Sequence, residues 1–277
     1  MKPRGARWLA GWVVALLPAA VGMADGLPEV EAAPGTLIRW VGEGTEGCAM
    51  DGRRWQPLGE TCWFPVDLLR EGSFVEVSRW QGGSEERARI RIGDYPYSVQ
   101  YITIENESQV TLSDGDLVRV RGEQKRVGAL WDLDGPARFD LPLASPLRDR
   151  GSSGRFGSRR FFNDLPRSPH TGADYSAATG EPVFSIADGS VVLAEDLFFS
   201  GVSAFIDHGD GLVSMYFHFS ELLVEEGEEV TRGQQIGRVG QTGRATGPHL
   251  HFGVRWHGAR INPELLLEEP ASVAAIP

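Results

Sequence analysis

No histidine occurs before His170 in this 277-residue chain, and all six lie between His170 and His257. Imidazole is the side chain suited to moving protons or holding a metal near neutral pH. The N-terminal half is therefore left with binding, positioning or occlusion. Only two cysteines are present, Cys48 and Cys62, with no second Cys or His pair near them, which argues against a thiolate metal centre. No His-Glu-x-x-His run occurs, so the helical zinc-peptidase motif and its glutamate base are missing. Long basic runs and aromatic-basic interleaving are also lacking. With a formal net charge of -11, that argues against nucleic acid or an anionic membrane as partner. Internal repeats and low-complexity tracts are absent, so the chain is not a repeat array.

At the start, Lys2, Arg4 and Arg7 precede an apolar stretch from Trp8 to Val21, and Gly22-Met23-Ala24 follows as a small-residue cleavage signal. The stretch is shorter than the ~20 residues that span a bilayer comfortably. Residues 1–24 are expected to be a signal peptide, with an uncleaved anchor as the alternative. No Cys stands at the cleavage site, so lipoprotein processing is not indicated. Cleavage would remove three basic residues and no acidic one, taking the charge to about -14 and leaving no stable membrane insertion. In an exported protein Cys48 and Cys62 are expected to form a disulfide, worth about 3 kcal/mol for a loop of this size.

Residues 28–141 read as a β-rich domain, a small sandwich or barrel. Ala88, Ile90 and Ile92 alternate with arginines, as do Val118 and Val120, which predicts half-buried strands. Residues 36–41, 73–80 and 98–104 are further expected strands, and Ser113-Asp114-Gly115-Asp116 reads as a turn. Residues 142–158, rich in Pro, Ser, Gly and Arg, read as a linker and groove-entrance loop. The domain from 156 to 268 is again strand-dominated, with at most one helical turn near 262–267, and 269–277 is a tail.

His249-Leu250-His251 places two imidazoles on one face of a strand, with Leu250, Phe252 and Val254 turned toward a core. His170-Thr171-Gly172-Ala173-Asp174 offers an imidazole and a carboxylate, and its Gly and the preceding Pro169 favour a turn running into a strand. Two imidazoles and one carboxylate make a catalytic zinc set, because three protein ligands leave a fourth position for water.

At these residues the chain resembles the lysostaphin/LytM-type zinc metallopeptidases, which cut the peptide bridges of bacterial peptidoglycan. The resemblance runs from about Phe156 to Pro263. It rests on an ordered series that includes Phe156-Gly157-Ser158-Arg159-Arg160, Ser168 to Asp174, Asp207-His208-Gly209, Tyr216-Phe217-His218 and Thr242 to Phe252. It implies a mainly β fold, with an antiparallel peptidase sheet, a narrow groove and Zn2+ on the floor. It further implies that His170, Asp174 and His251 are the zinc ligands and that His218 and His249 are the catalytic histidines. Tyr95 to Ile104 is similar, more loosely, to a β-domain that precedes the peptidase in some Gram-negative members. The expectation is a periplasmic endopeptidase acting on peptidoglycan peptide stems, at D-Ala to diaminopimelate bonds rather than glycine bridges. The alternatives are a non-catalytic regulator of wall amidases and a wall-binding module.

Other side chains carry weaker expectations. Met215 to Phe219 reads as one alternating strand with Tyr216 and His218 on one face and Phe217 and Phe219 on the other. Tyr216 either contacts substrate or packs. His208 and His257, in turns, are expected to be solvated. Arg159, Arg160 and Arg167 either pair with peptide carboxylates or balance local acids.

Overall fold

The computed structural model describes residues 22–24, 26–103, 112–149 and 156–277. Residues 1–21 of the expected leader and 150–155 of the expected linker lie outside the described residues, whereas Gly22–Ala24 forms strand β1.

The N-terminal half contains β2 (Leu27–Ala32), β3 (Leu37–Val41), β4 (Thr45–Met50), β5 (Arg53–Trp55), β6 (Thr61–Pro65), β7 (Phe74–Gln81) and β8 (Ser84–Ile92). Five of these strands join β1 in a sheet of order β1-β2-β8-β7-β4-β5, and β3 pairs with β6 as a separate ribbon. Along β8 the alternation does what period 2 requires: Ala88 and Ile90 are fully buried, while Arg89 and Arg91 reach Glu76, Glu29 and Glu31. Sheet and ribbon share a core of Val30, Ile38, Trp40, Phe64, Val75 and Val77, and the Cys48–Cys62 disulfide joins β4 to β6.

Residues 114–129 correct the expected strand around Val118 and Val120: they form helix α1 (Asp114–Ala129). The Ser113 to Asp116 stretch is its N-terminus, where Ser113 Oγ accepts from the Asp116 amide at 3.1 Å and Asp114 and Asp116 sit in the first turn. Two valines spaced by two point to opposite sides of a helix, and here Val118 is 72% exposed whereas Val120 is buried. Four alternating residues are too short a run to tell the two periods apart. Capping decided the matter.

Strand β9 (Val99–Ile102) leaves the N-terminal half and runs parallel to β10 (Arg159–Phe162), which turns into β11 (Leu165–Arg167). The C-terminal half then contains β12 (Gly172–Ser176), β13 (Pro182–Phe184), β14 (Gly189–Leu197), β15 (Gly201–Asp207), β16 (Leu212–Phe217), β17 (Phe219–Leu222), β18 (Glu229–Val230), β19 (Gln235–Val239), β20 (His249–Trp256), β21 (Ala259–Ile261) and the short α2 (Glu264–Leu267). Its main sheet is antiparallel, in the order β12-β20-β16-β15-β14-β18 with β21 on β20, and β13-β19-β17 form a second sheet. One face of the main sheet buries Tyr175, Ile206, Tyr216, Leu250, Phe252 and Val254. On the other face Leu193, Phe205, Val213 and Met215 pack against Val127, Leu130 and Trp131 at the end of α1 and just beyond it.

The halves are joined through shared apolar surface. In β3 and β6 neighbouring residues are buried on both faces, as in strands packed from two sides. Ile38 and Phe64 face the N-terminal core, while Leu37 and Trp63 enter the C-terminal one, where Trp63 stacks on Trp256 at 6.2 Å. Leu143 and Leu147, from the expected linker, belong to the same C-terminal core. The tail returns to β3: the Arg39 amide donates to Ala274 O at 3.0 Å, the Ile276 amide donates to Arg39 O at 2.9 Å, and Ile276 completes the N-terminal core.

Candidate metal centre

The register of β12 against β20 sets Asp174 directly opposite His251 and Ser176 opposite His249, so a carboxylate and two imidazoles emerge on one face. His170 arrives from the turn before β12. The Gly157 amide donates to its carbonyl at 2.7 Å, and its own amide donates to Ser158 O at 2.9 Å. Gly172 makes room, since a Cβ there would stand 2.5 Å from Phe252 O and 2.6 Å from His251 Nε2.

Three donor atoms converge. His170 Nε2 lies 3.0 Å from Asp174 Oδ1, His251 Nδ1 lies 2.8 Å from the same oxygen, and the two ring nitrogens are 2.9 Å apart. Donors around one zinc ion with bonds of about 2.0–2.1 Å stand roughly 3.3 Å from each other. The triangle therefore closes around an ion by relaxing a few tenths of an ångström, and two imidazoles plus a carboxylate are the donor chemistry zinc takes. Asp174 Oδ2 is engaged from outside by Arg160 Nη2 at 3.0 Å.

The other two imidazoles stand beside this triangle. His249 Nε2 is 3.8 Å from Asp174 Oδ1, and the His218 and His249 rings are 4.7 Å apart. His218 departs from the expected alternation. Its φ of 66° interrupts the strand between β16 and β17, so Phe217 and His218 both reach the groove side. Phe217, expected on the opposite face from His218, stacks on His251 instead, which it also opposes in the strand register. In both flanking histidines Nδ1 meets a carbonyl, Thr242 O at 2.8 Å for His218 and Gly247 O at 2.8 Å for His249. A carbonyl only accepts, so Nδ1 carries the proton and Nε2 is the lone-pair nitrogen of the neutral ring.

Burial governs the protonation of the group. It pushes His170 down to about 4, against the raising effect of Asp174. Burial, followed by the neighbouring His251 and His249, takes His218 down to about 3. Burial by itself would raise the Asp174 carboxyl, but hydrogen bonds from His170 and His251 carry it well below the usual carboxylate range. The site thus contains a carboxylate, Asp174, with His170 and His218 kept neutral near pH 7.

The groove above the site, about 500 Å³, is lined by His170, His218 and His251 together with Arg160, Arg167 and Arg244. Leu112, just before α1, and Gln124 within it form part of its edge. Arg244 had no role in the sequence reading, because nothing local marks it out. Arg159 lies over the Tyr95 ring at 4.7 Å.

The remaining histidines are neither close to the site nor solvated. His208 is fully buried, its ring nitrogens bound to Asp188 O and Ser214 Oγ at 2.7 Å each. His257 packs on Trp55 with ring centres 4.3 Å apart, in the seam between the halves. Both turns are covered by distant chain, which the sequence signal of a turn does not register. Tyr216 is fully buried and its hydroxyl accepts from the Ile186 amide, so of its two readings the structure selects packing.

The profile described as peptidase family M23 matches residues 168–263. Over 111 residues the chain is 40% identical to peptidoglycan DD-endopeptidase ShyA of Vibrio cholerae, a match covering 40% of this chain and 26% of that protein. Over 137 residues it is 37% identical to peptidoglycan DD-endopeptidase ShyC of the same organism, covering 49% and 32% respectively. The matched part thus spans between a quarter and a third of these curated relatives. A Pseudomonas aeruginosa crystal structure assigned to peptidase M23 superimposes with a TM-score of 0.64 at 26% identity, covering 85% of this chain and 94% of that one. The matched span holds His170, Asp174, His218, His249 and His251, so these five residues lie within a segment, 168–263, that matches peptidase family M23.

Proposed function

We propose that this protein is an exported zinc endopeptidase that hydrolyses peptide crosslinks of peptidoglycan, at D-Ala to diaminopimelate bonds, in a Gram-negative periplasm. The observation that carries the reading is the convergence of His170, Asp174 and His251 on one point, with the rings of two further imidazoles, His218 and His249, beside it. The relatives named as peptidoglycan DD-endopeptidases support the substrate. The basic and apolar leader and the Cys48–Cys62 disulfide support a place of action outside the cytoplasm. Among the described residues no helix is long and apolar enough to cross a membrane.

His170, Asp174 and His251 would hold the ion. Zinc there supplies Lewis acidity, which polarises a carbonyl and acidifies water. The chain's own residues do the rest. Arg160 holds Asp174 Oδ2 so that Oδ1 faces the two ligand rings. Phe217 keeps the plane of His251. His218 and His249, each held through Nδ1 by a backbone carbonyl, present Nε2 to take a proton from the nucleophile, to donate to the oxyanion and to hand a proton to the leaving amine. Burial keeps His218 neutral near pH 7.

The test is digestion of purified sacculi by the zinc-loaded chain, with and without chelator, followed by mass analysis of the products. Loss of crosslinked dimers with a matching gain of monomers, abolished by chelator, is the expected result. Unchanged dimers, with zinc bound to folded protein, would remove the peptidase reading.

A further inference from the structure

We infer that Thr242 is a positioning residue for His218: its carbonyl fixes which ring nitrogen carries the proton, and its hydroxyl holds the strained backbone from which that ring enters the groove. The inference rests on the peptidase reading and adds to it a residue that acts through another. A non-glycine residue at φ 66° is in a sparsely populated conformation that persists only where its surroundings over-determine it. His218 is such a residue, and it stands where the chain leaves β16 in the main sheet and enters β17 in the second sheet. Continuing the register of β15 against β16 past Ala204 and Tyr216 would set Val202 opposite His218. The chain turns away there, and the Val202 amide donates to Thr242 Oγ1 at 2.9 Å instead. The same hydroxyl donates its one proton to Phe219 O, also at 2.9 Å, and Thr242 O accepts from His218 Nδ1 at 2.8 Å. One residue thus grips the His218 ring, the peptide that follows it and the strand that lost its partner.

Glycines clear the space for this junction. A Cβ on Gly201 would lie 2.4 Å from both Thr242 C and Thr242 Oγ1, and one on Gly240 would lie 2.7 Å from His218 O. Backbone hydrogen bonds close it from either side: the Arg244 amide donates to Phe199 O at 2.8 Å, and the His218 amide donates to Ser200 O at 3.0 Å. The His218 ring held there has its centre 4.7 Å from that of His249 and 6.2 Å from that of His251. A neutral imidazole can carry its proton on either nitrogen, and only one of the two forms leaves Nε2 able to accept. The Thr242 carbonyl selects that form. The hydroxyl keeps the carbonyl where the ring can reach it, because it ties Thr242 to Phe219 and Val202 at once.

The experiment uses the zinc-loaded full chain with Thr242→Val, which keeps the shape and removes the hydroxyl, Thr242→Ala, which removes it with less bulk, and Thr242→Ser, which keeps it. Crosslink cleavage gives kcat and KM. The nitrogen resonances of isotope-labelled histidine give the His218 tautomer, assigned by the signal lost in His218→Ala. Thr242→Val is expected to lower kcat about 10-fold, the scale of the hydrogen bonds removed, with KM and zinc content unchanged. It should also replace the single Nδ1–H form of His218 by exchanging tautomers, and Thr242→Ser should restore both rate and signal. In a His218→Ala background the same substitution should no longer change the rate, because the two residues act as a unit. Lost thermal stability with kcat and the His218 signal unchanged overturns the inference, as does an undiminished effect of Thr242→Val when His218 is absent. Should Thr242→Val not fold, Thr242→Ala gives the same readings. A parent chain that binds zinc and cleaves nothing removes the peptidase reading, and the His218 signal in the variants then decides the positioning role by itself.

Discussion

Phe217 lies flat against His251, with ring centres 5.0 Å apart and planes 3° from parallel. The two are opposite partners across β16 and β20, so the strand register itself places an aromatic wall behind the imidazole whose Nδ1 faces Asp174. A ring held in one plane aims its nitrogen without losing rotamer freedom on binding. Phe217→Ala is expected to weaken zinc binding roughly 10-fold, the lower end of the range for groups that orient ligands, and Phe217→Tyr to retain it. Competition with a chromogenic chelator measures both.

The residues of the candidate metal centre divide by what they hold. His251→Ala or Asp174→Ala should lose zinc and activity together. His218→Ala or His249→Ala should keep the metal while the cleavage rate falls on the order of 10²- to 10⁴-fold. Zinc content and crosslink cleavage, determined in parallel on each purified variant, separate the two classes. A folded His218→Ala protein without zinc would move that histidine into the ligand set.

Glu123 anchors α1 to the groove wall. Its carboxylate accepts from the Phe198 amide at 3.0 Å and from Arg119 Nε at 2.7 Å, and the loop that starts at Phe198 holds the His218 amide through Ser200 O. Glu123→Ala leaves the half-buried Phe198 amide without this partner, an expected cost of about 1 kcal/mol. Hydrogen exchange at Phe198 and His218 should accelerate, whereas exchange in β7 and β8 should not.

His208 gives the fold an acid limit. Burial pushes it down to about 4, below the value of 6.5 it has in an unfolded chain, so unfolding takes up a proton between those values. The folded state keeps this contribution above pH 6.5 and loses it as pH falls toward 4, by about 3 kcal/mol. Replacement by Gln, which retains a donor and an acceptor, should flatten the difference in denaturant midpoint between pH 7 and pH 4.5 relative to the parent chain. Identical slopes for the two proteins would show that His208 does not contribute.

Much of the site's face geometry was legible before the fold was known, because it depends on the two-residue period of a strand. His249 and His251 share a face while Leu250, Phe252 and Val254 turn into the core, and Gly172 with Pro169 broke any helix between His170 and Asp174. The same period misled at Val118 and Val120, where a Ser113 cap and acidic first turn specified α1. It also misled at His218, because a single residue at φ 66° inverts the order of faces, and alternation carries no sign of that.

The amino-acid sequence by itself determined the donor types, the strands that carry them and the pairing-ready cysteines, since composition and short-range periodicity act over a few residues. Tertiary structure alone decided that Asp174 stands opposite His251, that His208 is buried and His257 packs on Trp55, that Trp63 stacks on Trp256, and that Arg160, Arg167 and Arg244 meet in one groove. Those relationships join residues far apart in the chain, and they exist only once long-range strand pairing and the shared core have paid the entropy of bringing the segments together.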